Sequence, residues 1–160
     1  MTVSPPEIET FLPLLAATPN RIAAATRDVE NTRLHSRADE NTWSANDILA
    51  HLRVCAELWT KSMIAMLEQD HPTLRYVSPR TWINKTNYRE LDFHESFAAF
   101  AAQRSELLKL LGSLSIQQWS RGVDFTGNTQ GRNHNVFTYM RRMAQHENEH
   151  CAQIEALLRN

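Results

Sequence analysis

Apolar residues recur at intervals of three and four along four stretches of this chain, and the strict alternation of a half-buried strand is weak everywhere. The first stretch predicts a helix from about Pro6 to Thr32, broken near Thr18-Pro19, where Thr can cap a new helix and Pro suits its first turn. The second begins at Ser44. Ser44 with Asp47 three residues on is a variant of the capping box, and the run NDILAHLRVCAELWTKSMIAMLEQ behind it keeps the helical period. The third begins at Asp92, with Glu95 three residues later. Phe93, Phe97, Phe100, Leu107, Leu108 and Leu111 follow at helical spacing, and Gly112 suits the end. The fourth runs from about Asn135 to Leu158, with Val136, Met140, Met143, Ile154, Leu157 and Leu158 on one side.

Four amphipathic helices without strands predict an all-α, antiparallel four-helix bundle. Long loops separate the second helix from the third, over roughly 70 to 91, and the third from the fourth, over roughly 112 to 134. Loops of this length inside a compact domain are often functional. The first carries Tyr76, Trp82 and Tyr88, and the second carries Trp119 and the polar stretch TGNTQGRNHN. These aromatics are expected to cover the end of the core, the alternative being a lid or a substrate wall.

Length and composition narrow the function classes. The 160 residues suit one domain, 1–160, and the apolar share of 42% and charged share of 22% are those of an ordinary globular protein. A formal net charge of -1, spread along the chain, gives no footprint for nucleic acid or an anionic membrane. No uninterrupted apolar run is long enough to span a bilayer. The N-terminal FLPLLAA is short, is interrupted by Pro13, and follows Glu7 and Glu9, where a signal peptide wants positive charge. It is expected to be mature structure and the protein cytoplasmic. Cys55 and Cys151 give no disulfide framework and are expected to be small buried hydrophobes on helices.

The chemistry concentrates in HENEH, His146 to His150, which matches the H-E-x-x-H zinc motif. On a helical wheel with His146 at zero, His150 falls near 40°, so both rings project from one side. The apolar residues of this helix span about 20° to 120°, which turns both histidines inward. His51, in ILAHLRVCAELW, likewise borders an apolar face formed with Ile48, Cys55 and Leu58. Three inward histidines on two helices are satisfied together by one metal, whereas each alone would need its own buried partner. Among the remaining histidines, His94 is expected to be exposed and His35, His71 and His134 to lie in loops. Glu147 falls near 100°, inside the apolar arc, and needs a partner there. It could orient a ligand imidazole, serve as general base on metal-bound water, or pair with an arginine. Glu149 falls on the far side and is expected to be solvated. Gln153 falls near -20°, above the two histidines, where it can contact the site. A protease is unlike this pattern: after His150 only CAQIEALLRN follows, with neither the extended motif nor a further helix to supply a third ligand.

WSANDILAHL, with His51, and HENEHCAQI, with His146 and His150, resemble the DinB-like (DinB/YfiT) superfamily of metal-binding helical bundles. The resemblance runs from Trp43-Ser44 to the end and includes H-x-x-x-H-x-x-Q in the last helix. The family often has Gly before that Gln, where this chain has Ala152. The resemblance implies a four-helix bundle, commonly a homodimer, with one divalent metal, zinc or nickel typically, held by His51, His146 and His150. Characterised relatives include transferases and isomerases that use low-molecular-weight thiols such as mycothiol or bacillithiol.

Three reaction readings follow, all with a small-molecule partner. A transferase would use a low-molecular-weight thiol on a small electrophile, and predicts a basic or polar pocket, with Arg53, Arg80 and Arg132 as sources. A hydrolase would use metal-activated water, and predicts Glu147 within reach of that water. A non-catalytic bundle would bind metal or ligand only, and predicts a coordination sphere closed by a fourth protein ligand, for which Cys55 is the residue to check. Histidine and oxygen donors suit zinc, nickel or iron(II).

Overall fold

The computed structural model describes residues 5–127 and 134–159. Long helices dominate it: α1 (Pro5–Thr26), α3 (Ala45–Glu68), α5 (Phe93–Gly112) and α7 (Val136–Leu158). A single turn, α2 (Asn31–Leu34), follows α1. The four predicted helices are thus present, with one difference. The expected break at Thr18-Pro19 does not occur, and α1 runs through both Pro13 and Pro19 and ends at Thr26. Each proline removes a backbone donor. Leu15, Thr18, Ile22 and Thr26 nevertheless keep the helical period across that point, and all four are buried. α1 lies mainly along α7, so tertiary packing holds it where local signals would end it.

The helix starts follow the sequence closely. Ser44 caps α3: its hydroxyl accepts from the Asp47 backbone N–H while the Asp47 carboxylate accepts from the Ser44 N–H. Asp92 caps α5 by accepting from the N–H groups of His94 and Glu95, and Asn135 caps α7 by accepting from the Thr138 N–H. These side chains satisfy donors that a helix start leaves open.

The two connections expected to be plain loops carry structure of their own. The first holds β1 (Thr73–Arg75), α4 (Pro79–Trp82) and a 3-10 turn (Ile83–Lys85). The second holds α6 (Ile116–Trp119), β2 (Gly122–Thr126) and β3 (His134–Asn135). They meet in a three-stranded sheet of order β1-β2-β3, with β1 parallel to β2 and β2 antiparallel to β3. Thr73, Leu74 and Arg75 pair with Asp124, Phe125 and Thr126. The strandless expectation is corrected here: strands this short leave no readable alternation, and β1 and β2 are held by pairing with each other from distant parts of the chain. Trp119 is buried in the core, as expected.

Two large apolar clusters fill the space between the long helices, beside a small one of Ala50, Val54 and Ile83. One joins Leu15, Trp59, Met63, Leu107, Met140 and Met143, and the other joins Ile22, Ile48, Leu52, Phe93, Phe100 and Ile154. Cys55 and Cys151 are free and buried in these clusters. Among the described residues, no helix is long and apolar enough to cross a membrane.

Candidate metal centre

α3 and α7 pack against each other and bring their inward histidines to one place. The Nε2 atoms of His51 and His146 lie 3.0 Å apart. Cys55, one turn after His51, sets its Sγ 3.6 Å from His51 Nε2. One ligand atom from each of His51, Cys55 and His146 falls within 4.8 Å of the others, a group that could hold a metal ion. The His150 ring stands beside them, its centroid 4.5 Å from that of His146 and 5.1 Å from that of His51. His150 Nδ1 is 2.9 Å from Gln153 Oε1. That contact makes Nδ1 the donor and leaves Nε2 with its lone pair free for a cation. Trp43 stacks on His150 at 6.2 Å and packs against His51 at 5.1 Å, so the residue before the α3 cap forms one wall.

Burial first, and then the neighbouring His150, Arg80 and Arg89, push the His51 imidazolium down to about 4. Burial, then His150, His51 and Arg142, push His146 down to about 3. Both rings are neutral at neutral pH, the form that ligates metal. Burial, with the charge of Glu147 adding to it, pushes the Cys55 thiol up to about 12.

These donors fit a metal on two counts. Two nitrogens facing each other at 3.0 Å need a shared proton or a cation between their lone pairs. The donor set of imidazoles and a thiol without a carboxylate suits a transition metal and not an oxygen-seeking cation such as calcium. His146 Nδ1 is buried with no hydrogen-bond partner among the described residues, so no protein group fixes this ring's tautomer.

The histidines open into a cavity of about 600 Å³. Its aromatic walls are Trp43, Trp59 and Tyr76. Its charged wall is Arg80, Arg89 and Arg142, and among the described residues no carboxylate lines it. Arg142 lies over the Trp59 ring at 5.1 Å, and Trp59 in turn packs edge-on against His146. The Arg89 guanidinium approaches Asp47 at 3.8 Å, and its carbonyl accepts from Asn46, so the start of α3 holds this segment in place.

Glu147 is not in this cavity. Its carboxylate is paired with the Arg104 guanidinium, and both side chains are 1% exposed. Arg104 Nη1 donates to Glu147 Oε2 at 2.6 Å and to the Leu15 carbonyl at 3.0 Å. Of the roles open to Glu147 in the sequence, pairing with an arginine matches this placement, and general-base duty does not. Glu149 is exposed, as is His94. Among the proposed pocket arginines, Arg80 lines the cavity, whereas Arg53 lies over the Tyr88 ring at 3.7 Å and donates to Ser96. Arg132 and most of the TGNTQGRNHN stretch lie outside the described residues.

Two further cavity residues, Trp59 and Arg142, carry a readable signal of the kind that singled out Cys55. His51, Cys55 and Trp59 follow at successive steps of four, and Arg142 precedes His146 by four, so each shares a helix face with a ligand. Tyr76, Arg80 and Arg89 come from the 70–91 connection, where no period places them.

The sequence profile described as "DinB superfamily" matches residues 14–154. The chain belongs to the DinB superfamily. Its structure is similar to that of YfiT from Bacillus subtilis, with a TM-score of 0.82 at 18% identity, over 97% of this chain and 87% of that one. YfiT is described as "a probable metal-dependent hydrolase with an unusual four-helix bundle topology". The two proteins share the four-helix-bundle fold. No curated protein matches this member of the DinB superfamily by sequence.

Proposed function

We propose that this protein is a metal-dependent enzyme whose centre uses His51, His146 and His150, and that it transfers a low-molecular-weight thiol to a small electrophile. The observation that carries the reading is the wall around the imidazoles: among the described residues three arginines line the cavity and no carboxylate does. When bound there by the three imidazoles, with the buried Cys55 thiol staying protonated beside them, a zinc or nickel ion, or iron(II), would keep its double positive charge and lower the pKa of a bound thiol or water. A thiol begins near 8.5, roughly seven units below water, so it ionises at such a centre without help from a carboxylate base. Gln153 fixes the His150 ring through Nδ1 and is a positioning residue rather than a cofactor ligand. Trp43 and Trp59 pack against the imidazoles and exclude water from that side. Arg80, Arg89 and Arg142 favour an anionic thiol, such as one bearing carboxylates. With this reading go the expectations of one domain, an antiparallel bundle and a homodimer in the cytoplasm.

A second reading, a metal-dependent hydrolase, is favoured by the likeness to YfiT. One experiment separates the two. Metal-loaded protein is given a chromogenic aryl halide with bacillithiol or mycothiol, and separately an aryl ester without thiol. The transferase reading expects thiol-dependent conjugate that His150→Ala abolishes. Ester cleavage that needs metal but no thiol would establish the hydrolase instead, and neither activity from the loaded protein would overturn both.

A further inference from the structure

A second cavity, of about 370 Å³, adjoins the histidine cavity: Trp59 and Tyr76 line both. Its lining includes Ser62, Gln69 and the exposed Lys61 and Arg75, and its apolar and aromatic walls are Leu74, Trp82, Phe125 and Tyr139. These come from α4, from α7, and from the β1-β2 ladder that the two connections build together. Phe125 stacks on Tyr139 at 5.8 Å and meets Tyr76 edge-on at 6.3 Å, which gives flat faces of fixed orientation. Among the described residues no carboxylate lines this cavity either. Arg142 sits one turn after Tyr139 on α7, over the Trp59 ring that divides the two cavities. Among the described residues neither Arg142 nor Arg80 pairs with a carboxylate, whereas Arg89 shares Asp47 with Arg37.

We infer that the second cavity is a binding subsite for the flat apolar body of a small aromatic anion, with Arg142 at the junction taking its anionic group. The inference rests on the reading of the histidine cavity as the active site, and names the class of substrate that reaches it. An aromatic body in the second cavity with an acidic side chain at Trp59 directs that side chain toward the imidazoles. Apolar burial against the aromatic walls provides affinity, and the guanidinium provides orientation and selects anions over neutral isosteres.

The test is calorimetric titration of the metal-loaded full chain with naphthylacetate and, in parallel, with neutral naphthylacetamide. The inference expects naphthylacetate to bind about tenfold more tightly, the scale of one charge-assisted contact. Arg142→Gln should erase most of that preference while leaving amide binding in place, whereas Lys61→Gln and Arg75→Gln, at the exposed cations of the same cavity, should keep it. Ala65→Phe, which fills the cavity from α3, should abolish binding of both, and Ser62→Phe is the second filling variant should Ala65→Phe unfold. Metal content and the thermal transition of each variant are read alongside. Equal binding of acid and amide, or unaltered binding in a folded filling variant, would overturn the inference even in a protein that holds its metal. Failure of the metal-centre reading gives a different pattern, a protein without metal that still prefers the acid.

Discussion

Glu147 shows how one residue can carry a motif's appearance without its chemistry. Its carboxylate is fully enclosed and paired with Arg104, which also reaches the Leu15 carbonyl. Removing one partner of such a pair strands the other charge, at a cost of about 3–5 kcal/mol. Glu147→Ala should therefore lower the denaturant midpoint sharply, and Glu147→Leu combined with Arg104→Met should recover much of the loss. A Glu147→Ala protein of unchanged stability would refute this structural role. The histidines make a second prediction. The native state holds His51 and His146 neutral down to about 4 and 3, whereas an unfolded chain protonates them near 6.5. Between those values the unfolded state binds more protons, so stability rises with pH and is lost as pH falls through the window. In chelator-treated protein the thermal transition should drop from about pH 6.5 toward pH 4, and a His51→Gln/His146→Gln variant should drop less. An identical slope in both would count against the buried, neutral rings. The wheel placed these three side chains inward because burial follows helical period. It could not say which of several partners Glu147 would find, because Arg104 lies 43 residues away on another helix.

The elements were legible where their signals are local. Ser44, Asp92 and Asn135 each stand at the cap of a helix, and the residues behind them keep one period for five turns or more. Thr18-Pro19 was a local signal that tertiary packing overrode. The short strands and single-turn helices between residues 70 and 135 had no legible pattern, yet they supply Leu74, Arg80 and Phe125 to the cavities, and Tyr76 follows directly on β1. Their structure depends on pairing between two connections about 50 residues apart. The start of α3 is the element that ties site to fold. Asp47 accepts from Ser44 N–H and Oγ–H, takes a bidentate pair from Arg37, and stands near Arg89. Ser44→Ala removes the hydroxyl from this buried cap and should cost about 1–2 kcal/mol, read by denaturant unfolding. His51 lies seven residues, two turns, further along the same helix, so metal content should survive at temperatures where the variant is folded. Loss of metal in a folded Ser44→Ala protein would mean the cap sets the site's geometry directly.

At the scale of the molecule, the bundle joins two helices whose histidines are 95 residues apart in sequence and 3.0 Å apart in space. Around that meeting point it assembles an aromatic and cationic cavity from segments that have no common period. Membership in the DinB superfamily and the bundle fold agree with the resemblance carried by WSANDILAHL and HENEHCAQI. The chemistry rests on whether a metal occupies the meeting point of α3 and α7. The direct measurement is metal content by mass spectrometry on untagged wild type and on His51→Ala. The account predicts about one transition metal per chain in wild type, and loss of that metal from a His51→Ala protein with undiminished helicity. Wild-type protein that stays metal-free after exposure to zinc, nickel and iron(II) would contradict it, and the three imidazoles would then be core residues of a binding protein.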